Sequence, residues 1–145
     1  MITLGIVGVE AAKLTRGGVL RAKVVIDALI LASRADRVVS GRCHLGGIDE
    51  LAIQRATVRR VPWREFPPEQ EHWDYYKKRN LQIVEASTLV VCITVTHYHP
   101  GYTKDRYPMC YHCRTDTHVK SGGCWTVKHA VKQGKTDSHV VVIEP

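Results

Sequence analysis

Short apolar runs alternate along this chain with longer stretches whose apolar residues recur at helical spacing. Ile2 to Gly8 is an apolar run closing on a glycine, the pattern of a buried strand that enters a tight turn. Val9 to Arg16 reads as a loop. Gly17-Gly18 then precede a helix of about fifteen residues, apolar on most sides through Val24, Val25, Ile26, Leu29 and Ile30. Arg37 to Gly41 predicts a second strand, and Ile48, Leu51, Ala52 and Ala56 mark one face of a second helix. A third, shorter strand lies within Val58 to Phe66, where Pro62 implies an edge position or an early break.

A helical stripe returns from Glu71 to Ser87 through Tyr76, Asn80, Ile83 and Val84, and it places an amide, Asn80, on an apolar face. Leu89 to Val95 is a β-branched run of the kind that is buried on both faces, with Cys92 as core packing. After an irregular segment from Thr96 to Lys120, a last helix runs through Val127, Ala130 and Val131 to Gly134, and a last strand covers His139 to Ile143. This alternation predicts one α/β domain over residues 1–145. Its fold is a three-layer, Rossmann-like sandwich around a mostly parallel sheet of about five strands, interrupted by an insert at 96–124 before the last helix. Ligands of such folds bind outside the carboxyl ends of the strands, where Gly8, Gly41, Gly46, Gly47, Gly122 and Gly123 would converge.

Composition adds a charge bias. With 21 Lys and Arg against 14 Asp and Glu the formal net charge is +7, which favours anionic partners such as nucleotides or nucleic acid. The longest strongly apolar stretch, Val19 to Ala32, is broken by Arg21, Lys23 and Asp27, so neither a membrane span nor a secretory leader is expected and the chain reads as cytoplasmic. Three of the five cysteines fall within fifteen residues beside histidines, a density that suits metal-bound thiolates better than disulfides. Cys110, Cys113, His118 and Cys124 have spacing close to a zinc knuckle, so a structural zinc with a closed Cys3His shell is expected to staple the insert. His97, His99 and His112 are alternative ligands, His112 disfavoured by its place inside the hairpin.

Ser121-Gly122-Gly123-Cys124-Trp125-Thr126 reads as a glycine turn opening a helix, a device that offers backbone N–H groups, here with the Thr126 hydroxyl, to a phosphate. Arg42 and Arg79 can add charge-assisted bonds. Glu10 follows the first strand into the crevice, where a carboxylate can hold a ribose hydroxyl or assist glycosidic cleavage. Asp49 sits at a helix start, a position also explained by helix-end electrostatics.

Three segments resemble the SLOG superfamily, in order along the chain. Val39-Ser40-Gly41 with Gly46-Gly47-Ile48-Asp49-Glu50-Leu51-Ala52 is similar to that group's Ser-Gly-Gly-Ala-x-Gly-Val-Asp-x-Leu-Ala motif. Lys78-Arg79-Asn80 with Glu85-Ala86-Ser87 resembles its Arg-Asn segment, and Ser121 to Thr126 its second phosphate turn. The group includes the DNA-processing protein A family, the "Lonely guy" phosphoribohydrolases and small phage or bacterial proteins. The resemblance implies binding of a nucleotide or nucleotide-derived ligand, as a sensor or sequestering module, and a homodimer. It also implies two alternatives, a nucleotide N-glycosidase and a single-stranded nucleic-acid binder. Where the phosphoribohydrolases carry a catalytic Glu this chain departs from the pattern with His129; the N-glycosidase alternative uses Glu10 as its catalytic carboxylate.

Overall fold

The computed structural model describes residues 1–145 as five parallel strands and four helices. In chain order these are β1 (Thr3–Gly8), α1 (Arg16–Ser33), β2 (Arg37–Gly41), α2 (Ile48–Val58), β3 (Trp63–Phe66), α3 (Trp73–Ala86), β4 (Leu89–Val95), α4 (Gly122–Lys132) and β5 (His139–Ile143). The strand order is β3-β2-β1-β4-β5, every neighbouring pair is parallel, and β3 occupies an edge as Pro62 implied. The chain winds outward from β1 through α1 and α2, crosses back by α3, and winds the other way through α4. Right-handed crossovers then put α1 and α2 on one face and α3 and α4 on the other. The order reverses between β1 and β4, whose register pairs Gly8 with Ile93 at the carboxyl end.

Each face has its own apolar core. Leu4, Ile6, Val38, Val91 and Ile93 point toward Ala22, Ile26, Ile48 and Ala52 of α1 and α2. Val7, Val39, Val90 and Cys92 point the other way, toward Ile83, Val84, Val127 and Ala130 of α3 and α4. Alternation along β1 and β4 thus feeds both layers, which is why these strands read as continuous apolar runs. No helix is long and apolar enough to cross a membrane.

Helix starts differ from expectation in two places, for one reason. Thr15 caps α1 by accepting the Gly18 N–H at 3.1 Å, and Ser121 caps α4 by accepting the Gly123 N–H at 3.2 Å. Both glycine pairs therefore lie inside first turns rather than ahead of them, and α1 extends to 18 residues. Cys124 accordingly belongs to α4 and not to the preceding insert.

The insert has no helix or strand of its own but is tied down at several points. The Val119 N–H donates to Val95 O at 2.8 Å, the Thr94 hydroxyl donates to Val119 O at 2.7 Å, and Tyr98 stacks on Tyr102 with ring centres 5.0 Å apart. His99 Nε2 meets Ala12 O at 2.8 Å, and Cys110 bridges Thr115 in a small antiparallel hairpin. His97 pairs with Thr96 at 2.8 Å, so neither histidine joins the cysteine cluster.

Candidate functional site

The carboxyl ends of β1 and β2, the first turn of α4, the start of α3 and the insert enclose an open cleft of about 690 Å³. Its floor deepens into a cavity of about 150 Å³ beneath Trp73 and Tyr76. Together they fall within the size range of small-molecule sites. Gly8 forms the base at the strand-order reversal, as expected for an open α/β sheet.

Three polar side chains meet at the cavity floor. Arg79 of α3 is 7% exposed, donates from Nε to Asn80 Oδ1 at 2.8 Å and from Nη1 to Phe66 O at 3.4 Å, and lies over the Tyr76 ring. Asn80 thereby finds the partner that a buried amide needs. Asp49, in the first turn of α2 and 5% exposed, stands 3.7 Å from Arg79 Nη1, beyond hydrogen-bond length. Burial outweighs the attraction of Arg79 and pushes the Asp49 carboxyl up to about 6. A Cβ at Gly41 would overlap the Arg79 guanidinium, so this strand end must be glycine for the arginine to reach the sheet.

The helix start contributes less than the glycine turn promised. The Gly123 N–H is taken by Ser121 Oγ and the Cys124 N–H by Ser121 O, so that of the N–H groups of Gly122, Gly123 and Cys124 only that of Gly122, which lines the cleft, has no partner within the chain. Thr126 is fully buried and donates to Gly122 O at 3.4 Å, so its hydroxyl is turned into the helix. Ser121 is spent as the cap. Gly123 is glycine for packing, since a Cβ there would lie 2.7 Å from Cys92 Sγ and 3.0 Å from Val7 Cγ2.

Gly46 and Gly47 also serve the loop rather than a ligand. Their φ angles of 69° and 93° turn the chain into α2, and the Gly47 backbone abuts Val9 to Ala11. Arg42 projects outward to Glu65 at 3.3 Å, away from the cleft. Glu10 does line the cleft, 3.5 Å from both the Tyr102 hydroxyl and Lys104 Nζ. Burial pushes Tyr102 up to about 12, so it stays a hydroxyl donor to that carboxylate.

The remaining walls are residues outside the site predicted from sequence: Trp73 and Tyr76 of α3, and Tyr102 and Tyr107 of the insert, with Lys13, Lys104 and Lys120 among them. Glu71, His72 and Asp105 stand at the mouth. The only signal for Tyr76 was its place on the α3 stripe beside Asn80, and for Trp73 its place at the helix start.

Behind the cleft, Cys110, Cys113, His118 and Cys124 converge, with ligand atoms all within 4.8 Å of one another. Four ligands around zinc at about 2.3 Å per sulfur would stand roughly 3.8 Å apart, and Cys124 Sγ is 3.7 Å from His118 Nε2. This group can hold a metal ion. Burial, then the neighbouring thiols Cys124 and Cys110, push Cys113 up to about 12; contact with Cys92, then burial, raises Cys124. Thiolates this crowded need a cation to ionise together. Burial lowers His118, which favours the neutral imidazole that ligates metals. His112 instead packs at 6.1 Å from Trp73, its ring outside the cluster. Cys92, read as core packing, is a core residue and also a neighbour of the centre, its sulfur 4.0 Å from Cys124 Sγ.

No protein-family model, curated protein sequence or solved structure matches this chain.

Proposed function

We propose that the cleft binds a nucleotide or a nucleotide-derived small molecule of the kind the SLOG superfamily handles, with its phosphate against Arg79. The observation that carries this reading is the buried guanidinium at the end of a parallel sheet. Its bonds to the chain run through Nε and Nη1, leaving Nη2 for a ligand in a cavity that Gly122, at the start of α4, also lines. An α-helix start adds favourable electrostatics for an anion. Trp73 and Tyr76 supply the aromatic wall against which a base would lie, and Glu10 is positioned for a ribose hydroxyl. The same carboxylate is the candidate catalytic group for an N-glycosidase reaction. The Cys3His group holds a structural zinc, because its four protein ligands leave no open coordination position.

Calorimetric titration with AMP, GMP, CMP, UMP and ribose 5-phosphate should give micromolar binding for at least one of them. Absence of heat and of any thermal shift with all five at millimolar concentration would remove the reading.

A second reading is favoured by one surface feature. Tyr107 and Tyr111 are 41% and 51% exposed, pack edge to face at 6.0 Å, and continue the cleft onto the insert, with Lys120 Nζ 4.1 Å from the Tyr107 ring centre. Such a strip suits successive bases of a single strand. On this reading a dT or U octamer binds at least tenfold more tightly than the mononucleotide, with an affinity that falls steeply with salt. Tyr111→Ala then weakens only the octamer. Equal affinity for monomer and octamer confines the ligand to the cleft.

A further inference from the structure

The floor of the cleft sets an electrostatic conflict. An anion placed against Arg79 comes close to the Asp49 carboxyl as well, because the two side chains are 3.7 Å apart and both line the same cavity. Both are more than nine-tenths buried, so water does little to screen them. Two negative charges about 5 Å apart repel by roughly 3 kcal/mol even at an effective dielectric of 20. Arg79 cannot move away to relieve this, held by Asn80 Oδ1 and Phe66 O and pressed against Gly41.

We propose that anion binding at Arg79 is coupled to uptake of one proton by Asp49, so that the site captures its ligand under mildly acidic conditions and releases it as pH rises. The inference rests on the nucleotide reading above and names how that site is regulated. In the free protein Asp49 partly neutralises Arg79 without a hydrogen bond between them. When the anion arrives it takes over the charge of Arg79, and Asp49 accepts a proton from solvent. The neutral carboxyl can then donate to an anion oxygen, turning a repulsion into a hydrogen bond. The upward displacement of Asp49 by burial to about 6 puts the crossover within reach of ordinary buffers.

Other titratable groups around the pair are accounted for by position. Glu65 of β3 is engaged by Arg42, the Cys43 thiol is pushed up by burial, and Tyr76 is likewise raised. Glu10 lies out at Lys104. His44 and His72 are nearer the mouth, His44 bonded to the Tyr76 hydroxyl at 3.0 Å and His72 capping α3, and their protonation would also favour an anion. They must therefore be separated from Asp49 by experiment.

Sulfate is the probe, because it does not titrate in this range. Its affinity for the whole protein, measured by calorimetry from pH 5 to 8, is expected to fall about tenfold per pH unit above pH 6. Titrations at pH 7.5 in two buffers of different ionisation enthalpy should show one proton taken up per anion. Asp49→Asn should bind sulfate with a flat profile and no proton uptake, whereas a His44→Gln, His72→Gln double variant should keep both. A flat profile or zero uptake in the unmodified protein, with sulfate still bound, overturns the coupling and leaves the anion site standing. A slope that survives Asp49→Asn but disappears in the histidine variant assigns it to the mouth instead and overturns the role of Asp49. Failure of sulfate to bind at any pH overturns the anion site and the coupling together. Should Asp49→Asn not fold, the two-buffer experiment on the unmodified protein and on the histidine variant decides.

Discussion

Replacing Cys110 with serine is expected to loosen the insert and, with the cleft as the proposed nucleotide site, to weaken mononucleotide binding in the same protein. Cys110 is fully buried, and its sulfur joins those of Cys113 and Cys124 and the His118 ring. Losing one of the four residues that can hold the ion leaves a partial shell for the proposed zinc, and structural zinc shells contribute folding energy directly. The two apolar cores of the sheet remain, so the domain should stay folded. The loss should be on the order of 3–5 kcal/mol, which for a domain of this size lowers Tm by about 10 °C or more.

Binding should suffer because the centre and the cleft share a turn. Cys124 lies two residues beyond Gly122, and Ser121 fixes that turn by capping it. Without the metal, α4 keeps on the insert the contact of Cys124 with His118 and the bond from Lys128 Nζ to His112 O at 3.2 Å, and neither fixes Cys110 or Cys113. Tyr102, Tyr107 and Lys120, which wall the cleft, belong to the same insert. Affinity for the best mononucleotide should fall at least tenfold in Cys110→Ser and, reversibly, in protein stripped by a chelator. An unchanged affinity in metal-free protein would sink the coupling, and metal analysis of the purified protein gives the identity and stoichiometry of the ion.

Much of the architecture was legible because each strand and helix carries its own period. β1 and β4 read as buried on both sides, and the structure gives each of them a partner strand on either edge and a core on either face. Of the two outcomes that Pro62 allowed, β3 takes the edge place, and the strand begins only after the proline. The cysteine and histidine cluster was legible because its spacing is local and its members need only one hairpin to meet. What escaped were matters of where a group points. Glycine pairs marked helix starts, but whether they precede or open the helix depended on Thr15 and Ser121, whose caps consume the N–H groups that a phosphate would use. Gly123 is dictated by Cys92 and Val7, residues more than thirty and a hundred positions away. Arg42 and Arg79 look alike in sequence, yet one meets Glu65 at the surface and the other is drawn inward through a gap left by Gly41. The aromatic walls come from two separate segments, α3 and the insert, and no local pattern could bring Trp73 to Tyr107.

Arg79→Ala should remove ligand affinity and make stability depend on pH in a definite direction. Within the site, Ala deletes the only buried cation, and mononucleotide binding should drop by two orders of magnitude, the usual scale for a buried charged contact worth 2–3 kcal/mol. Arg79→Lys should not restore it, because an ammonium cannot bond Asn80, Phe66 O and a phosphate in one plane. For the fold, the change strands Asp49 without its counter-charge, and removing one partner of a buried pair costs about 3–5 kcal/mol when the other must stay ionised. Arg79 is the main influence that favours the Asp49 carboxylate and holds its pKa down, so its loss raises that folded value further above about 6. The unfolded value is near 3.9. Between the two the native state holds more protons than the unfolded state, so stability falls as pH rises through that window. Urea denaturation should therefore show a small deficit for Arg79→Ala at pH 5, where Asp49 is neutral, and a deficit larger by at least about 1–2 kcal/mol at pH 8, where burial of the bare carboxylate must be met. Equal deficits at both pH values would mean that Asp49 does not feel Arg79, and the floor of the cleft would have to be redrawn.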